Sequence, residues 1–110
     1  MATARDFRRI ARSLAGTTEA PHFDRTAFKV RRIYATLAAD GKSANLMLTP
    51  DAQALKCAVA PAAFAALANA WGMRGATRAT LAALTAAELR DALELAWRRA
   101  LDKSPPRRLR

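Results

Sequence analysis

Residues 21–48 read PHFDRTAFKVRRIYATLAADGKSANLML, and in two parts of this stretch apolar residues recur with a period of two. Ile33, Ala35 and Leu37 form one trio and Ala44, Leu46 and Leu48 another, which places each trio on one face of an extended strand. Between them stands Asp40-Gly41, a dipeptide suited to a tight hairpin turn. Phe28 and Val30 fall on even positions and the next trio on odd ones, so the alternation cannot stay in register through residues 27–37. A turn or β-bulge at Arg31-Arg32 resolves the conflict. The stretch therefore predicts three short antiparallel strands joined by two tight turns, and a sheet with one apolar face needs other elements to cover it.

The flanking segments supply that cover. Thr3 is a good N-cap with Asp6 three residues on, an acidic variant of the capping box that also suits the helix dipole. Phe7, Ile10, Ala11 and Leu14 then make a single helical stripe that Gly16 closes. Arg5, Arg8, Arg9 and Arg12 lie off that stripe and read as a solvated face. Near the other end, Thr85 and Glu88 form a full capping box. Behind it Leu89, Ala92, Leu93, Ala96, Trp97 and Ala100 line one side of a helix of about fifteen residues, which must pack across the sheet.

The intervening chain is less periodic. Residues 17–24 read as a linker, with His22 at a strand entrance and Phe23 available to fold back on the core. Thr49-Pro50-Asp51 starts a short helix through Lys56, because Thr caps and Pro is tolerated at the first helical position. Phe64 and Leu67 suit a second short helical turn. Trp71-Gly72 and Gly75 bracket a turn, with Trp71 expected to pack in the core or at its edge, and residues 76–80 read as a last strand. The expected fold class is α+β in two layers: an antiparallel sheet, meander plus later strand, packed against N- and C-terminal helices. One domain over residues 1–102 is expected, followed by a basic, disordered tail over residues 103–110 that contains two prolines.

Chemistry-bearing patterns are sparse. With one cysteine, Cys57, and one histidine, His22, neither a disulfide framework nor a zinc cluster can be assembled within the chain. No phosphate-binding loop, nucleophile elbow, dinucleotide fingerprint or metalloprotease motif occurs. Glu88, Asp91 and Glu94 fall on the polar side of the last helix and read as a solvated face. The expectations are accordingly no enzymatic activity, no catalytic residue, no metal and no cofactor. No apolar run approaches the roughly 20 residues that span a bilayer, and the Arg-rich start lacks the apolar core of a secretory signal. A cytoplasmic protein without membrane association, monomeric or weakly dimeric, is expected. The net charge of +10 is distributed with both ends basic and the middle neutral, a balance that attracts polyanions.

The ordered set PHFDRTAFKVRRIYATL, the turn DGK, NLMLTPD, Trp71-Gly72, Gly75 to Thr77 and TAAELRDALELAWR resembles, in order and spacing, the MmcQ/YjbR family. The resemblance runs from Phe7 to about Arg99. Family members usually carry Gly where Arg31 stands and often an aromatic where Ala76 stands, so either the hairpin turn here accepts a Cβ or the turn differs, and the last strand lacks a stacking or packing group. The resemblance implies a CyaY-like domain and a DNA-binding role in which hairpins act like wings about a helix. It does not imply iron binding, because the acidic ridge that frataxin-like proteins use has no counterpart in this basic chain.

Residues and resemblance together point to DNA as the partner. The candidate contacts are Arg25, Lys29, Arg31 and Arg32 on the first hairpin, assisted by Lys42, Arg74 and Arg78 if the sheet brings them to one side. Such residues neutralise phosphates without reading sequence. The alternative is a protein-interaction or scaffold module docking an acidic partner, marked by scattered arginines and an exposed apolar patch. A third reading, a small-ligand pocket between sheet and helix, needs convergent polar groups.

Overall fold

A computed structural model describes residues 1–102; the basic tail expected over residues 103–110 lies outside the described residues. Helix α1 (Ala4–Ser13) precedes strands β1 (Thr18–His22), β2 (Arg25–Lys29), β3 (Ile33–Leu37) and β4 (Ser43–Met47). There follow α2 (Pro50–Val59), β5 (Phe64–Ala66), the one-turn helix α3 (Ala70–Met73), β6 (Ala76–Thr80) and α4 (Ala86–Leu101). The strands form one antiparallel sheet in the order β1-β2-β3-β4-β6-β5. The architecture is α+β in two layers, with the N- and C-terminal helices packed on the sheet, as the sequence predicts.

Local signals explain most of the elements. Thr3 caps α1 and Thr85 caps α4 through reciprocal boxes with Asp6 and Glu88, each satisfying two otherwise orphaned backbone donors. Thr49 accepts from the Ala52 amide with Pro50 in the first turn of α2. The register slips between Phe28 and Lys29, and Lys29 pairs directly with Ile33 while Phe28 pairs with Ala35. Tyr34 is thus the extra residue of a bulge beside the predicted irregularity, and its side chain turns inward to full burial.

Two segments depart from the sequence reading. Residues 18–22, expected as linker, form the edge strand β1. Its Pro21 is compatible with that place because an edge strand leaves one row of donors unused. Phe64 and Leu67 do not share a helical turn: Phe64–Ala66 pairs with β6 as the opposite edge. Three alanine-rich residues cannot distinguish a period of 2 from one of 3.6, so the choice falls to the strand alongside.

Cross-strand pairing gives the sheet two distinct faces. Phe28, Ala35, Leu37, Ala44, Leu46, Phe64, Thr77 and Ala79 point to the helix layer and are buried. Against them lie Phe7, Ile10 and Ala11 of α1 and Leu89, Ala92, Leu93 and Ala96 of α4. The Phe7 and Phe28 rings meet edge to face at 5.2 Å. Trp97 Nε1 donates to the Ala15 carbonyl at 3.0 Å, tying the two terminal helices together at their ends. Each large apolar side chain buried this way contributes roughly 1.5–3 kcal/mol. The other face of the sheet carries no helix among the described residues.

Candidate nucleic-acid interface

Strand alternation assigns the uncovered face. The row Ala20, Ala27, Thr36, Asn45, Arg78 and Ala65 runs across all six strands on it, and His22, Arg25 and Lys29 lie on the same side by the period of two. The strands contain three Lys or Arg side chains, Arg25, Lys29 and Arg78, and all three stand on this face. The strands' one carboxylate, Glu19, is on the opposite side. It is held there by α1: Arg8 pairs with one of its oxygens and Arg12 with the other, Arg12 Nη2 at 2.6 Å. The arginines of α1 are thereby partly neutralised, whereas among the described residues no carboxylate pairs with the cations of the open face.

Arg25 is the best-fixed of the three. Its Nε donates to Thr36 Oγ1 at 2.8 Å and its Nη2 to the Thr36 carbonyl at 3.1 Å, so the guanidinium lies over β3 and helps to shield Thr36 from water. The head group therefore sits in the same cross-strand row as Asn45 and Arg78, two strand spacings or ~10 Å from the Arg78 strand. Lys29 and Arg78 are exposed and their side chains make no hydrogen bond or ion pair among the described residues.

The remaining predicted residues are not gathered on one patch. Arg31 is exposed in the β2–β3 turn. Its neighbour Arg32 turns to the helix layer, where Nη2 donates to the Asp102 carbonyl at 2.9 Å, past the C-terminus of α4. A cation is favourable there against the helix dipole. Burial lowers the pKa of nearby Arg99, and the charge of Arg32 lowers it further. Lys42 stands in the β3–β4 turn, at the opposite end of the sheet from Arg31 and Arg32 because successive antiparallel strands reverse direction. Arg74 follows α3, and its guanidinium lies over the Trp71 ring at 5.6 Å.

Two aromatic residues depart from expectation. Trp71 is not a core packer but 60% exposed, and Phe23 does not fold back on the core but is 94% exposed at the tip of the β1–β2 turn. Trp71 is displayed because its neighbour is the packing residue. Gly72 is buried so closely beneath the chain that a Cβ would overlap the Leu67 carbonyl, and Gln53 Nε2 donates at 2.9 Å to the carbonyls of both Gly72 and Ala76. The signal in the sequence is Gly72 itself, since glycine marks a close backbone approach and so a candidate packing position beside Trp71.

Among the described residues no group of three or more His, Cys, Asp or Glu side chains is placed to hold a metal ion, and no helix is long and apolar enough to cross a membrane. A cleft of about 350 Å³ between α1 and the β1–β2 hairpin is lined by Arg8, Arg12, Glu19 and Arg25. Its central carboxylate is occupied by the two α1 arginines.

A family model described as YjbR matches residues 12–99. Among solved structures, the chain is similar to the crystal structure of a Deinococcus radiodurans protein carrying the DUF419 domain. The TM-score is 0.77 at 21% identity, over 94% of this chain and 81% of that one. At that identity the likeness concerns the fold. No curated relative matches.

Proposed function

The chain belongs to the YjbR family, and we propose that it is a non-enzymatic DNA-binding protein that lays the uncovered face of its sheet against phosphates. The observation that carries this reading is the segregation of strand charge: Arg25, Lys29 and Arg78 on the open face, Glu19 on the covered one under Arg8 and Arg12. A surface of this kind supplies counterion release and orientation. It offers Asn45 alone as an amide side chain in the central row, so little base-edge recognition is expected from the strands.

An acidic protein partner is the second reading, and one observation favours it. Leu55 and Val59, one helical turn apart on α2, are 62% and 74% exposed. They belong to the helix layer, so this patch is separate from the cationic sheet face.

Fluorescence anisotropy of a labelled duplex at several salt concentrations tests the proposal. The double variant Lys29→Ala/Arg78→Ala should bind more weakly, with a log-log salt slope shallower by about 2, since two phosphate contacts are lost. The helix-layer variant Arg90→Ala should behave as the parent protein. Equal slopes for parent and double variant would sink the sheet-face reading. Loss of binding on deleting residues 103–110, with no effect of the double variant, would assign the affinity to the basic tail.

A further inference from the structure

The β1–β2 turn is built in an unusual way. His22 pairs with Arg25, so Phe23 and Asp24 are the two central residues of a two-residue hairpin loop. Phe23 has φ +58°, and it is the one non-glycine residue with positive φ among those described. A positive φ at the first central position and not at the second matches the signs of a II′ turn, where that position ordinarily belongs to glycine. A bulky L-residue there is strained. The strain is not offset by burial, because the ring is 94% exposed. Its one aromatic neighbour among the described residues is His22, which meets it edge to face at 4.9 Å and stands on the uncovered face of the sheet.

Folding alone accounts for neither feature: glycine would relax the turn, and a polar residue would better suit water. The position borders the cationic face, with Arg25 next but one in the chain. The second turn residue, Asp24, carries a carboxylate that phosphates repel, so the tip does not serve as a phosphate contact. It offers an aromatic ring on a stiff two-residue support.

Resting on the DNA-binding reading above, we infer that Phe23 is a nucleobase-contacting residue, its ring stacking on a base face while Arg25, Lys29 and Arg78 hold the backbone. Two sources of that base are compatible with the chemistry: an unpaired base of a single strand, or a step of a duplex opened by an apolar wedge.

The test uses full-length protein with single-stranded and duplex oligonucleotides carrying 2-aminopurine as the fluorescent base. Phe23→Gly removes the ring and relaxes the turn, and Phe23→Trp keeps a ring. The parent and Phe23→Trp should change the 2-aminopurine emission on binding. Phe23→Gly should bind about tenfold more weakly, give no emission change, keep the parent's salt slope, and melt no lower than the parent. A response confined to the single strand identifies the unpaired base, and one in the duplex identifies insertion at a step. If Phe23→Gly keeps the parent's affinity and emission change while Lys29→Ala/Arg78→Ala loses affinity, the stacking role is overturned and the sheet face stands. Absence of any parent binding to either oligonucleotide overturns both.

Discussion

Arg25 reaches from its own strand to Thr36 on the next, giving one hydrogen bond to the hydroxyl and one to the carbonyl of the same residue. The contact depends on the planar fork of a guanidinium, which a lysine ammonium cannot reproduce. Arg25→Lys should therefore destabilise the fold by about 1 kcal/mol while leaving the salt slope of DNA binding unchanged. Arg25→Ala should lose the same stability and also flatten the slope. Chemical denaturation beside anisotropy separates the two effects. A slope equally flattened in both variants would show that orientation, not charge, is what Arg25 supplies.

Tyr34 gives a pH signature. Its hydroxyl donates to the Ala11 carbonyl at 3.2 Å and lies 3.0 Å from Thr17 Oγ1, and burial raises its pKa above the ordinary value of 10.0 despite the Thr17 contact. The folded protein thus holds this proton more tightly than the unfolded chain does. Tyr34's contribution is fully present below the unfolded-chain value and is lost as pH rises through the folded-state value. Tyr34→Phe should cost about 1–2 kcal/mol at neutral pH. The stability gap between parent and variant should narrow above about pH 10 in urea melts. A gap that stays constant as the solution is made more alkaline than this would contradict the account.

Gly72 and Gly75 hold the α3 corner against the sheet by close backbone approach. A Cβ on Gly72 would overlap the Leu67 carbonyl, and one on Gly75 the Leu48 carbonyl, with Gly75 also at φ +112°. Gly72→Ala and Gly75→Ala should each cost about 3 kcal/mol, read as a lowered denaturation midpoint. By contrast, Trp71→Ala should fall within about 0.5 kcal/mol of the parent, as exposed positions do. A large loss for Trp71→Ala would mean the ring packs where the structure leaves it exposed.

Elements whose signals are local were legible in the chain alone. The capping boxes at Thr3 and Thr85, the Pro50 start of α2, the apolar stripes of the terminal helices and the Asp40-Gly41 turn each depend on residues within a few positions of one another. The parity conflict around Arg31 even announced the bulge that swallows Tyr34. Long-range pairing settled what no local pattern encodes. Residues 18–22 and 64–66 became edge strands because β2 and β6 offered them a partner. Arg32 turned to the end of α4, 70 residues away, where a helix terminus attracts a cation. Phe23 and Trp71, hydrophobic in any composition table, stay outside because a two-residue turn and a buried glycine fix their backbones facing away from the core. Arg25 and Lys29 share a face by the period of two within β2, but cross-strand register is what adds Arg78 to that face and puts Glu19 on the other. Register is a pairing between distant segments, and a single strand's alternation specifies its two faces without saying which of them will meet the helices.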